Sequence, residues 1–223
     1  MKHEKDSTTE QRILEAAEKL FFEKGFAMTH TTDIAKEVGC NQALVHYYFR
    51  TKEKLFETFF EGKAKLFMSA FLQAGNDKDS FEEKLKCKIE AHFDILQANP
   101  RLPFVLFNEI STNPKRVEAF KVKFGELPKA VIEKIREELQ QEIEKGNIRQ
   151  VNPVDLILSI ISLNAIMFIA SPIIKIVTGA SDKDYAKMVE RRKGENVRII
   201  LQSLKPDGAG SQGADPSVFV LNA

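Results

Sequence analysis

The chain contains no tryptophan, only three tyrosines and only two cysteines among its 223 residues. Cys40 and Cys87 lie far apart without metal-ligand spacing, which excludes a disulfide framework and reads as two free thiols in a reducing compartment. An excess of one charge is also missing. The 33 Lys and Arg against 32 Asp and Glu leave a net +1, so any surface for nucleic acid or anionic lipid must be local. No Gly-rich phosphate loop and no nucleophile beside a base occur, and His3, His30, His46 and His92 are scattered. Nothing therefore supports an enzyme, a catalytic residue, a metal or a cofactor. The first twelve residues, MKHEKDSTTEQR, lack the apolar core of a signal peptide, so a cytoplasmic location is expected.

Long apolar runs are scarce too. The single one, LILSIISLNAIMFIASPIIKIV at 156–177, approaches the ~20 residues that span a bilayer. Ser159, Ser162, Asn164, Ser171 and Pro172 interrupt it, and no basic loop beside it sets an orientation. The reading adopted is one helix buried nearly all round, in a helical core or across a subunit interface, with no membrane partner.

Helical periodicity dominates what is present. STTEQRILEAAEKLFFEKGF opens with a capping box, Ser7 to Glu10 or Thr8 to Gln11, and Gly25 ends it. A short helix follows at 31–39, capped near 29–31 and stopped by Gly39. A third runs from an Asn41 cap to about Phe49, and Thr51 caps a fourth. Ser80 caps a fifth, and FVLFNEIS forms a sixth that ends at TNP. Residues 115–145 form a charged seventh with a kink or restart at Gly125 and Pro128. The apolar run and a last helix at 183–204 bring the count to about nine. The Gly-, Pro- and Ser-rich tail 206–223 reads as disordered.

The second and third helices are joined by Gly39-Cys40-Asn41, a turn too tight for antiparallel packing. Ile34, Val38, Val45 and Phe49 are spaced to share a core with Ile13 and Leu20, which is the logic of a helix-turn-helix. With Val45 and Phe49 inward, Gln42, Ala43, His46 and Tyr47 fall outward. Gln42 can pair with adenine, Ala43 or Leu44 can touch a thymine methyl, and His46 and Tyr47 suit phosphate oxygens. Thr31 and Lys52 stand in the first turns of their helices, where an anion is favoured.

The run TEQRILEAAEKLFFEKGF…THTTDIAKEVGCNQALVHYYFRTKEKLFE resembles the N-terminal domain of the tetracycline-repressor (TetR/AcrR) family of bacterial transcriptional regulators. Ile13, Ala16-Ala17, Leu20-Phe21, Gly25-Phe26, Thr31, Asp33-Ile34-Ala35, Val38-Gly39, Tyr48-Phe49, Lys52 and Leu55 carry the likeness. It covers about the first 60 residues. The resemblance implies phosphate contacts at Thr31, Tyr47, Tyr48 and Lys52, and base or groove contacts at Asn41, Gln42, Ala43, Leu44 and His46. Positions 44 and 46 depart from the family's usual Thr or Ser and Tyr, so Leu44 reads only apolar features and His46 shortens its contact.

The resemblance further implies an all-α protein. Residues 1–50 would form a helix-turn-helix head and 51–72 a linking helix within a 51–205 ligand-binding and dimerisation domain. Dimerisation would use about 154–177 and 183–204. The implied function is a one-component regulator, a repressor, that binds a palindromic operator as a dimer and is released by a small-molecule effector. For that effector the candidate residues are Phe67, Phe71, His92, Phe104, Phe107, Asn108, Asn164 and Phe168; the phenylalanines read more simply as helical core, and His92, Asn108 and Asn164 also as exposed or bonded to backbone. Cys40 is read as a small filler, with oxidant sensing as its alternative. Two rival readings are a helical ligand carrier or scaffold without specific DNA binding, and a membrane-associated protein using 156–177.

Overall fold

The structure, a computed structural model, describes residues 2–76, 78–124 and 126–206. The tail from residue 207 and the side chains of 2–7, 68, 70, 71, 119, 120, 123, 124 and 126–128 lie outside that description. Among the described residues there are eleven helices and no strand. They are α1 (Lys2–Met28), α2 (Thr31–Val38), α3 (Gln42–Phe49), α4 (Lys52–Gln73), α5 (Phe81–Ala98) and α6 (Leu102–Thr112). After these come α7 (Pro114–Phe124), α8 (Glu126–Glu144), α9 (Pro153–Ile169), α10 (Ser171–Thr178) and α11 (Asp182–Ser203).

The local chemistry of the chain fixes most boundaries. Leu44 donates its N–H to the Asn41 side chain (2.9 Å), Lys54 to Thr51 (3.0 Å) and Glu83 to Ser80 (3.3 Å). Each bond satisfies one amide that the first helical turn leaves without a partner. Gly39 (φ 75°) takes the left-handed conformation that closes α2 and starts the tight turn.

Three expectations are corrected. Helix α1 begins at Lys2, so Ser7 and Thr8 lie within it, and the charged residues of KHEKD, mostly good helix formers, carry it upstream. Gly25 (φ 77°, ψ 168°) still breaks its path, as the positive φ requires. The 115–145 stretch divides between α7 and α8 where a kink or restart is expected, whereas 156–177 is two helices instead of one; counting each piece makes eleven where nine are expected. The second split falls at Ala170, where Pro172 offers no N–H and disfavours helix in the residue before it. The axes of α9 and α10 diverge there by 68°. Among the described residues no single helix is long and apolar enough to cross a membrane.

Burial of apolar faces organises three clusters. The first joins Ile13, Ala17, Leu20 and Phe21 of α1 to Ile34 and Val38 of α2, Val45 and Phe49 of α3, and Leu55, Phe56 and Phe59 of α4. It extends to Leu102 and Val105 of α6. The second gathers the start of α5, α8, the start of α9 and the end of α11 around Ile89, Leu139, Ile160 and Ile200. The third packs Phe93 and Leu96 against Met167, Phe168, Tyr185 and Val189. Helix α9 is buried on one side only. Leu158, Ile161, Ile166 and Ile169 are exposed, as are Ile173, Ile176 and Val177 of α10. Burial within the chain alone therefore does not cover α9 all round, which leaves the subunit-interface form of the expectation, and an apolar face stands open on this chain.

Candidate nucleic-acid interface

Helix α2 is anchored on α1 and carries α3 with it. Arg12 of α1 donates to the Val38 carbonyl (2.8 Å) and so satisfies one of the acceptors left open at the end of α2. Thr29, fully buried, donates its hydroxyl to Gly25 O (2.8 Å) and Leu20 O (3.2 Å), fixing the corner between α1 and α2. Val45 (1% exposed) and Phe49 (4%) dock α3 on this base.

The opposite face of α3 is open. Asn41, Gln42, Ala43, His46 and Tyr47 are exposed, with Tyr47 at 67%, while Leu44 and Tyr48 are half-buried. The Tyr47 and Tyr48 rings meet edge to face at 5.2 Å. Thr31, half-buried at the start of α2, accepts from Gln42 Nε2 (3.0 Å), and the same nitrogen lies 3.2 Å from His46 Nε2. His46 Nδ1 lies 2.9 Å from the Arg50 carbonyl. Of the expected base-facing residues, Gln42 and His46 are thus linked in one row with Thr31.

Lys52, expected at a phosphate, is half-buried and also makes contacts within the protein. Its ammonium donates to Phe26 O (2.9 Å) and Ala27 O (3.4 Å) and sits 4.2 Å from the centre of the Phe26 ring. It ties α4 to the corner between α1 and α2. A second cation on the same ring escaped the sequence reading. Arg116 of α7 places its guanidinium 4.0 Å from the Phe26 ring and 4.2 Å from that of Phe56, and pairs with Glu109 of α6 at 3.0 Å. Arg101, capping α6, donates to Phe22 O (3.0 Å). Helix α6 is therefore bound to α1 near both its ends. The Glu109–Arg116 spacing crosses a helix break at Asn113-Pro114, which hides it from any periodicity argument.

The residues expected to meet an effector separate into two groups. Phe67, His92, Asn164 and Phe168 come together between α4, α5 and α9, with Phe67 and His92 rings 5.4 Å apart and Phe168 5.4 Å from Phe93. Phe104 (56% exposed), Phe107 (64%) and Asn108 lie instead on the outer face of α6. The Phe71 side chain is outside the described residues. Asn164, fully buried, donates to Ile89 O (3.0 Å), lies 3.0 Å from His92 Nδ1, and accepts from Asn196 Nδ2 (2.9 Å). This network fastens α5, α9 and α11 together. Burial pushes the His92 imidazole down to about 4. Asn196, a member the sequence reading missed, keeps its Oδ1 without a hydrogen-bond partner, and so does Arg192 Nε one turn earlier on α11.

A helical head that presents a capped, two-sided α3 in this manner defines a helix-turn-helix regulator. Residues 13–59 match the profile of bacterial regulatory proteins of the tetR family. The "Probable HTH-type transcriptional regulator YttP" of Bacillus subtilis (strain 168) is 31% identical over 145 residues, 61% of this chain and 67% of that protein. The fatty acid metabolism regulator protein of the same organism is 25% identical over 139 residues, 62% of this chain and 70% of its own length. The fatty acid degradation regulator FadR of Bacillus halodurans shares the fold, with a TM-score of 0.60 at 21% identity, over 85% of this chain and 94% of that one. The chain belongs to the tetR family. It is a DNA-binding transcriptional regulator, and the family is not one of enzymes.

Proposed function

We propose that this regulator is a repressor that binds a palindromic operator as a homodimer and leaves it when a small acyl compound binds. The observation that carries the DNA-binding half is the outward row of Gln42, His46 and Tyr47 on a helix whose other side, Val45 and Phe49, is buried in the head. Residues 1–50 act as the reading head, 51–72 as the linking helix and the rest to 205 as the effector and dimer domain. Thr31, Tyr47, Tyr48 and Lys52 secure phosphates, with Lys52 acting through the α1–α2 corner that it fixes. Asn41, Gln42, Ala43, Leu44 and His46 face the groove.

The dimer reading is supported by the exposed apolar face of α9 and α10, beside α11, within 154–177 and 183–204. Two relatives named for fatty acid metabolism and degradation supply the effector class. The cluster of Phe67, His92 and Phe168 supplies an apolar lining. The unpaired Arg192 Nε, a donor, suits the carboxylate or thioester oxygen of such a compound, which can only accept. Binding couples to release by linkage, so operator DNA weakens effector binding by the same factor.

A gel shift on the DNA flanking the regulator's own gene tests this reading. Wild type is expected to give a discrete complex. A Gln42→Ala/Tyr47→Ala double variant should lose it, and free fatty acids or acyl thioesters should dissolve it. Equal binding by wild type and variant would remove α3 from the interface.

A further inference from the structure

The hydrogen-bond row on α3 has a direction, and that direction starts at a backbone carbonyl. Arg50 is the only non-glycine residue with positive φ among the described residues (φ 59°, ψ −54°). The Thr51 N–H donates to Phe49 O across it at 2.5 Å, which makes a tight three-residue turn of the rare, strained hand. The Arg50 N–H donates back to His46 O (2.9 Å), so the residue is held from both sides. Its carbonyl oxygen lies 2.9 Å from His46 Nδ1.

A carbonyl oxygen can only accept, so His46 Nδ1 carries the hydrogen. In the neutral ring Nε2 is then a bare acceptor. The group facing it at 3.2 Å is the Gln42 side-chain amide, and only the nitrogen of that amide can donate. The other amide hydrogen is directed to Thr31 Oγ1 at 3.0 Å. Both hydrogens of Gln42 Nε2 are engaged within the protein, and the exposed side chain is left with Oε1.

We infer that His46 and Thr31 fix the orientation of the Gln42 amide, so that Gln42 offers DNA a lone acceptor and distinguishes an amino-bearing base from its carbonyl counterpart. The inference rests on the proposed placement of α3 in the major groove. There, adenine shows an amino group where guanine shows O6, and cytosine shows one where thymine shows O4. The bidentate adenine contact expected from the residue type needs the amide nitrogen as well, and the row withholds it. His46 is a positioning residue that acts through Gln42.

The test is selection by the full-length protein from an operator library randomised at every position, repeated with variants. Gln42→Ala identifies the responding position by flattening its preference. At that position wild type should prefer A over G, or C over T, by about five- to tenfold. His46→Lys places donors only beside the amide, turns it round, and should invert the preference to G over A or T over C. These are ratios within one variant, so the added cation's effect on overall affinity does not enter. A wild-type preference for G or T at that position, or retention of the wild-type preference in His46→Lys, would overturn the relay while leaving α3 in the groove. An unchanged profile in Gln42→Ala would overturn the placement of α3, and the relay with it.

Discussion

Between pH 7 and pH 5, acidification should weaken this protein chiefly through one side chain, His92. Burial holds its imidazole at about 4, against an ordinary 6.5. Between those values the unfolded chain binds a proton that the folded chain does not, so stability rises with pH across that window. The contribution is full above 6.5 and is lost as pH falls towards 4. From pH 7 to pH 5 the loss is about 2 kcal/mol for a group shifted this far. That corresponds to a fall in Tm of about 4–8 °C for a chain of this size. Protonation also removes the Nδ1 lone pair that faces Asn164 at 3.0 Å, loosening α5 from α9. The assay is thermal unfolding followed by circular dichroism at pH 7, 6 and 5, in wild type and in His92→Gln. Glutamine keeps an acceptor for Asn164 and does not titrate. The two proteins should differ in pH slope by about 2 kcal/mol over that range. Parallel slopes would refute the reasoning, because the pH dependence would then arise elsewhere.

Arg116→Ala leaves Glu109, 7% exposed, without its partner, and strips the guanidinium from Phe26 and Phe56. The expected cost is about 3–5 kcal/mol by urea titration, recovered in part by adding Glu109→Gln; Arg116→Lys should not restore it, since the stacked plane is lost. Ile166→Glu, at a side chain 47% exposed on α9, should convert the dimer to monomer in sedimentation without changing the helical content. A variant that stays dimeric places the interface elsewhere. Arg50→Gly should raise stability by about 1 kcal/mol, strain relief outweighing the added freedom of the unfolded chain; a loss of stability would show that the positive φ is not strained.

Local features were legible in the sequence because local chemistry decides them. Asn41, Thr51 and Ser80 cap their helices and Gly39 turns left-handed because each effect acts within four residues. The inward set of Ile34, Val38, Val45 and Phe49 followed from spacing alone. Lys52 was not legible in the same way, since its partners at Phe26 and Ala27 are brought near only by the packing of α4 on α1. Phe104 and Phe107 misled because an aromatic side chain does not reveal which face of a helix is covered. The break at Ala170 was signalled by Pro172, but the apolar run around it masked the signal. The polar row from Arg50 to Thr31 could not be foreseen, since it depends on a backbone carbonyl turned by one unusual φ.

Methylation interference on the operator tests the central claim most directly, because guanine N7 lies in the major groove that α3 is held to occupy. Two patches of interference are expected, centred one helical turn, about 10 base pairs, or a multiple of it apart. The Gln42→Ala/Tyr47→Ala variant should yield no bound fraction at all. Binding that survives N7 methylation at every guanine, or patches that persist in the variant, would contradict the claim.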